Sequence, residues 1–181
     1  AFDAVRKRRD QLALVIVQGV QNRSPHLGAA DWLSELIAVC REIGVLTLLD
    51  EVVTGFRVAY GGCQESFDLA PDLVTYGKGV GGGFPIGITA GREDVMSLFY
   101  DRVGSGGIMA GGTFNGNPLS AVAGATCLEM IASQPINQQA DAMAARLKVG
   151  LNDIFGKMEM AGHAHGIASM IHVVLADCGC D

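Results

Sequence analysis

Two charged side chains stand where predicted buried strands end. Asp50 follows the apolar segment at residues 45–49, and Lys78 comes just after the short apolar segment at residues 73–76. Ligands of open α/β sheets bind at the carboxyl ends of the strands. Charges placed there are costly unless something uses them. Either a ligand or a reaction uses both groups, or the two form an ion pair with a structural role only.

The glycine run around Lys78 matches the G-x-G-x-x-G pattern over residues 77–82, directly after a predicted strand. In a dinucleotide-binding fold, a helix opens on the last of these glycines and holds a pyrophosphate. This run instead continues into Gly83-Phe84-Pro85 and a strand-like segment, and Gly79 occupies the place where a P-loop requires Ser or Thr. The pattern therefore does not predict a nucleotide site.

A strand, a helix and a second strand are predicted to carry Asp50. Residues 12–17 form an apolar run typical of a strand buried on both faces, and residues 45–49 form another. Between them, residues 31–43 have the apolar spacing of an amphipathic helix, which Gly44 ends. This βαβ unit indicates the α/β class.

The remaining segments predict further elements on both sides of a glycine-rich loop. Asn117 and Pro118 supply an N-cap and a proline at the first helical position. The predicted elements are strands at 73–76 and 85–90, a helix at 92–99, a loop at 104–116, helices at 118–132 and 137–158, and a strand at 169–175 that starts a second region.

Charge and hydropathy exclude several classes of partner. The formal net charge is −6, whereas nucleic acids and anionic membranes favour clustered Lys and Arg. The one basic run, at residues 6–9, is predicted to be a solvated helix end or loop. No apolar run reaches the 18 or so residues of a membrane span, and the apolar run at 12–17 is too short for a secretory signal. We expect neither a nucleic-acid nor a membrane partner.

The cysteines indicate a reducing environment. There are five in 181 residues, an odd number without the spacing of a disulfide framework, which favours the cytoplasm. Cys178 and Cys180 together with His163 and His165 do not have the spacing of a zinc site. No metal site is predicted.

Three motifs resemble those of the class III aminotransferases of pyridoxal 5'-phosphate (PLP) fold type I. They are Leu-Leu-Asp-Glu-Val-Val-Thr-Gly-Phe-Arg at 48–57, Pro-Asp-Leu-Val-Thr-Tyr-Gly-Lys at 71–78, and Gly-Thr-Phe-Asn-Gly-Asn-Pro at 112–118. They follow the family's order at similar spacing, and the glutamate-1-semialdehyde aminomutase-like branch is the most similar. The resemblance extends over about residues 13–175.

This resemblance implies an α/β fold with a mixed, mostly parallel sheet. Residues 1–134 would form part of the PLP-binding large domain. Residues 135–181 would form a connecting helix and the start of a small C-terminal α+β domain. By the same comparison the family's upstream half is missing, so we expect less than half of a subunit, inactive by itself.

The resemblance also implies roles for four residues. Lys78 matches the catalytic lysine that holds PLP as an imine and moves a proton at the substrate α-carbon. Asp50 matches the carboxylate that keeps the pyridine nitrogen charged, so that PLP works as an electron sink. Val52 matches the residue that packs on the ring. Thr113 matches a donor to the phosphate in the neighbouring subunit, which implies a homodimer.

Two departures from the family bear on its partners and its reaction. Gln18 and Gly19 stand where the family usually has a Glu-Pro pair, so the role of that glutamate is not carried over. Val53 is apolar, as in the aminomutase branch and in assembly-line aminotransferase domains, and residues 21–25 resemble the assembly-line version. The partners implied are a small-molecule amino donor and acceptor, with an assembly-line carrier protein as a further candidate.

Three functions remain open from the sequence. The first is a class III aminotransferase working through Lys78. The second is an aminomutase acting on a γ-amino or semialdehyde substrate. The third is a non-catalytic fragment in which Asp50 and Lys78 form a structural pair.

Overall fold

The structure is a computed structural model that describes residues 1–21, 30–99, 108 and 111–176. Residues 104–107, 109 and 110 of the predicted loop at 104–116 lie outside the described residues, as do residues 22–25, Cys178 and Cys180. The helices are α1 (Phe2–Lys7), α2 (Ala30–Glu42), α3 (Gly62–Ser66), α4 (Glu93–Met96), α5 (Pro118–Ser133) and α6 (Ile136–Lys157). The strands are β1 (Leu14–Gln18), β2 (Leu46–Asp50), β3 (Leu73–Tyr76), β4 (Ile88–Gly91), β5 (His163–His165) and β6 (His172–Val174).

Four strands form a mixed sheet in the order β1-β2-β3-β4. The first three are parallel, and β4 runs antiparallel to β3. Since parallel neighbours need a crossover, α2 connects β1 to β2, and the segment containing α3 connects β2 to β3. The predicted α/β class and mostly parallel sheet are confirmed.

The crossover helix α2 covers one face of the sheet. Leu36 and Cys40 are buried and share a cluster with Val45 and with Val15 and Val17 of β1. Gly44 has φ +75°, and the next amide, that of Val45, donates to the Cys40 carbonyl at 2.9 Å. The predicted glycine stop is therefore confirmed, because this left-handed position suits a residue without a Cβ.

The prediction that β1 is buried on both faces was wrong. Val15 and Val17 pack on the α2 side, but Ile16 points to the other face and is 63% exposed. Side chains alternate along a strand, so the run places apolar side chains on both faces of the sheet. The described residues pack only against the face that carries Val15 and Val17.

The amino ends of the strands are fastened by Asp72, just before β3. Its Oδ2 accepts hydrogen bonds from the Thr47 amide at 2.8 Å and the Thr47 hydroxyl at 2.9 Å, and its Oδ1 accepts one from Arg92 at 2.7 Å. Burial by itself raises the pKa of Asp72, but the hydrogen bonds from Arg92 and Thr47 outweigh it and bring the pKa below its usual value. Asp72 therefore joins β2, β3 and the end of β4 as an ionised carboxylate.

Helix α6 packs on the β5–β6 hairpin. The Asn152 side chain donates to the Ala164 carbonyl at 3.0 Å and accepts from the Ala164 amide at 2.6 Å, and Lys148 donates to the Gly166 carbonyl at 2.9 Å. The division into a large domain and the start of a small one stays a prediction.

The apolar stripe predicted along this helix is buried only in part. Ala144 and Phe155 are buried, whereas Met143, Leu147 and Ile154 are each at least 50% exposed. The helical spacing was right, but the described residues cover only part of the stripe.

Among the residues the structure describes, no helix is long and apolar enough to cross a membrane.

Candidate active site

Asp50 is the last residue of β2 and is held at both carboxylate oxygens. The parallel register places it opposite Gln18, the last residue of β1. Gln18 Nε2 donates to Oδ2 at 3.2 Å, and the backbone amide of Val52 donates to Oδ1 at 3.0 Å. The carboxylate is thus half-buried and fixed in orientation at the carboxyl edge of the sheet.

Val52 connects Asp50 to the lysine segment. A Cβ placed on Gly77 would lie 3.4 Å from the Val52 Cγ1, so this side chain packs against the backbone immediately before Lys78. The Glu51 amide also donates to the Thr75 carbonyl at 2.9 Å. The predicted residues Asp50, Val52 and Lys78 are therefore brought to the same edge of the sheet.

Lys78 opens a 3-10 turn over Lys78–Gly81, directly after β3. Its φ is +48°, a left-handed conformation that costs a non-glycine residue about 1–3 kcal/mol and is frequent at functional sites. The residue is exposed. A strained, exposed lysine at the carboxyl edge of a sheet is a candidate for chemistry.

Helix α5 packs against this turn and supports it. Cys127 Sγ donates to the Gly79 carbonyl at 3.3 Å. A Cβ on Gly124 would lie 3.3 Å from the Val80 carbonyl oxygen, and one on Gly82 would lie 3.5 Å from the Ala123 carbonyl oxygen. The helix itself is capped as predicted, since Asn117 Oδ1 accepts from two amides of its first turn. Glycines on both sides thus allow the close approach that holds the lysine turn.

Thr113 is exposed and lies in the turn before α5. No hydrogen bond joins it to Asp50 or Lys78, all three being described. The structure therefore places Thr113 just before the start of the helix that packs against the lysine turn.

The structural ion pair between Asp50 and Lys78 does not form. The salt bridges among the described residues are Arg6–Glu42, Arg9–Asp10, Arg92–Asp72 and Arg92–Asp94. Both Asp50 oxygens accept instead from Gln18 and Val52. The alternative in which Asp50 and Lys78 form only a structural ion pair therefore lacks the contact that it requires.

Sequence reasoning missed the role of Glu51, which follows Asp50 and is 1% exposed. It accepts hydrogen bonds from the Thr54 hydroxyl and from the Gln64 amide at 3.0 Å. Gly62 has φ +66°, and a Cβ there would lie 2.6 Å from both Glu51 oxygens. Glu51 therefore ties down the connection between β2 and β3. A carboxylate followed by a threonine three residues later was the available signal.

Two titratable groups beside this connection are kept neutral. Burial, and then the charge of Glu51, raise the pKa of Cys63 to about 12, although a hydrogen bond with Thr54 lowers it. Burial is also the main reason that the pKa of Tyr76 is raised. Cys63 is fully buried, and its thiol is a packing group at neutral pH.

Among the described residues, no group of three or more His, Cys, Asp or Glu side chains is arranged to hold a metal ion.

Comparison with known proteins assigns the family. The model of the class-III aminotransferases matches residues 1–177, so the chain belongs to this family. It is 37% identical over 176 residues to glutamate-1-semialdehyde 2,1-aminomutase of Methanococcoides burtonii, covering 97% of this chain and 41% of the relative. The chain thus spans about two fifths of the length of the curated relatives it matches.

Solved structures agree with the family and the fold. The chain superimposes on an omega-transaminase from Sphaerobacter thermophilus with a TM-score of 0.84 and 31% identity, covering 97% of this chain and 40% of that one. A transaminase solved with PLP bound gives a TM-score of 0.81 and 25% identity, with 95% and 40% covered. These findings confirm the resemblance, fold type I and PLP as the cofactor of the family.

Proposed function

We propose that these residues build part of the active site of a PLP-dependent class III aminotransferase. In this proposal Lys78 is the catalytic lysine, Asp50 faces the pyridine nitrogen and Val52 lies beside the ring. The observation that supports it is that Asp50 ends β2 and Lys78 directly follows the parallel neighbour β3, while the Val52 side chain lies 3.4 Å from a Cβ placed on Gly77.

The residues present fit PLP chemically. A carboxylate has about four acceptor sites, and Asp50 uses one on each oxygen, which leaves capacity for an N–H donor such as a protonated pyridine. Lys78 makes no ion pair with any described residue, so its amine is available. Val52 adds an apolar side chain that lies beside Gly77, the residue before Lys78.

Each residue then has a distinct task. PLP, when bound, supplies an electron sink for the pair left behind when the substrate α-carbon loses a proton. The Lys78 amine takes that proton and returns it to a carbon atom. Asp50 holds the ring nitrogen in its charged form. The overall result is that an amine becomes a carbonyl compound while a carbonyl compound becomes an amine.

The proposal includes a homodimer in which Thr113 donates to the phosphate in the neighbouring site. Its exposed position and the lack of a hydrogen bond to Asp50 or Lys78 of the same chain, all three being described, support a partner-directed role. An assembly-line carrier protein stays a prediction, because residues 22–25 lie outside the described part of the chain.

Borohydride reduction tests the lysine assignment. Sodium borohydride fixes PLP to the lysine that carries it, and the other lysines, Lys7, Lys148 and Lys157, are internal controls. We expect the pyridoxyl mass on the peptide containing Lys78, in the complete polypeptide that carries these residues. A pyridoxyl mass on any control lysine instead would overturn the assignment.

An aminomutase is the second candidate, favoured by the 37% identity to a protein of that name and by the apolar Val53, which packs against the core beside the site. An aminomutase moves an amino group within one substrate, whereas an aminotransferase needs a separate amino acceptor. Turnover of a γ-amino or semialdehyde substrate without any added acceptor would establish the aminomutase. Strict dependence on an acceptor would establish the aminotransferase.

A further inference from the structure

Gln18 departs from the family pattern at a position beside the proposed cofactor site. It ends β1 directly opposite Asp50 in the parallel register. Neighbouring strands lie about 4.8 Å apart, so a side chain of this length reaches the carboxylate next to it. Their contact is therefore set by the pairing of the two strands.

The chemistry of the contact defines its direction. An ionised carboxylate only accepts hydrogen bonds, so the group that faces Asp50 must be the amide nitrogen of Gln18. With Val52 on the other oxygen, each oxygen of Asp50 has one donor. Two donors on different oxygens fix the rotation of the carboxylate plane, which a single donor would leave free.

The backbone that carries Gln18 is itself held closely. A Cβ on Gly19 would lie 2.4 Å from the Cys63 Cβ and 2.5 Å from its Sγ, so the end of β1 lies directly against the segment that starts α3. Cys63 is fully buried. Gln18 is therefore presented to Asp50 from a fixed strand end, although its own side chain is exposed.

We propose that Gln18 is a positioning residue for the cofactor: its neutral amide orients Asp50 toward the pyridine nitrogen of PLP. This inference rests on the proposed function, because it assumes that Asp50 faces that nitrogen. An ionised carboxylate at position 18 would have no hydrogen to donate and would set a second negative charge against Asp50. The amide supplies a donor that does not titrate.

The test compares Q18L and Q18M, which remove the donor at similar size, with Q11L at an exposed glutamine outside the site. The complete polypeptide that carries these residues is titrated with PLP labelled with ¹⁵N at the ring nitrogen, whose chemical shift reports protonation. We expect Q18L and Q18M to weaken PLP binding about three- to tenfold, the range of one hydrogen bond. We also expect them to move the ring-nitrogen signal toward the unprotonated position, while Q11L matches the parent.

D50N distinguishes a failure of the role of Gln18 from a failure of the role of Asp50. If D50N changes the affinity and the ring-nitrogen signal but Q18L and Q18M leave the signal at the parent position, Gln18 does not position Asp50 and the inference fails alone. If D50N changes neither, Asp50 does not face the ring nitrogen, and the proposed role of Asp50 fails with it.

Discussion

Asp50 and Asp72 lie at opposite ends of the same parallel strands and differ in how their oxygens are used. Asp72 follows no strand but precedes β3, has 7% of its side chain exposed, and accepts three hydrogen bonds from Thr47 and Arg92. Asp50 ends β2, is half-buried and accepts one hydrogen bond on each oxygen. Asp72 thus accepts its hydrogen bonds from within the fold in a structural role, whereas Asp50, the candidate catalytic carboxylate, is oriented by two donors and keeps free acceptor sites on its oxygens.

The largest effect should come from D50N, which keeps the size of the side chain and removes its charge. We expect turnover to fall about a hundredfold or more, comparable to the loss of one charge-stabilising group in other active sites. The midpoint of urea unfolding should change little. Steady-state kinetics of the complete polypeptide provide the measurement. The matched variant D72N should lower the midpoint of urea unfolding and leave turnover per folded molecule near the parent level. A similar loss of turnover in both variants would contradict the different roles of the two carboxylates.

Next, D72A should destabilise the fold. It leaves the buried Thr47 amide without a partner, and we expect a loss of about 2–3 kcal/mol in the free energy of unfolding. Urea denaturation monitored by circular dichroism checks this value. Turnover per folded molecule should stay at the parent level. An unchanged unfolding midpoint would mean that Asp72 does not fasten the strands.

A smaller effect is expected from G62A, measured against G44A. Both glycines have positive φ, +66° and +75°, but only the Cβ at Gly62 meets Glu51, while nothing lies within 4 Å of one at Gly44. We expect G62A to cost about 1–2 kcal/mol more than G44A, the extra cost being that of overpacking beside a buried group. Equal unfolding free energies for the two variants would show that Glu51 and its neighbours accommodate the added methyl group without a loss of stability.

The smallest effect is a dependence of stability on pH. Because the pKa of Asp72 is lowered in the folded protein, its ionised form stabilises the fold above the ordinary carboxyl range of about 4. This contribution is lost as pH falls through the folded-state pKa. The difference in unfolding free energy between parent and D72A should therefore shrink on acidification below about pH 4. A difference that stays constant to low pH would contradict the lowered pKa.

Local patterns predicted most of the elements. The bounds of β3 at residues 73–76 and the Asn117 cap of α5 are confirmed, because each depends on neighbours in sequence. Residue types at strand ends also marked Asp50 and Lys78 as candidates. The residues that Asp50 and Lys78 contact could not be predicted from local patterns.

The contact between Gln18 and Asp50 illustrates why. It joins residues 32 apart in the chain and exists only because of the register between β1 and β2. The exposure of Ile16 and of part of α6 was likewise not predictable, since apolar spacing shows which face can be buried and not whether anything covers it. Glu51 likewise accepts a hydrogen bond from Gln64, which lies in the next helix.

The support of the lysine turn by α5 has a consequence for protein engineering. Transplanting the Gly77-Lys78-Gly79 segment into another parallel sheet would move the Lys78 amine without the surface that holds its strained backbone. The Gly124 contact and the Cys127 hydrogen bond come from a helix about 45 residues further along. The smallest transferable unit is therefore a discontinuous pair, the strand with its turn and the helix beneath it, and a graft of either piece alone would be expected to relax the turn.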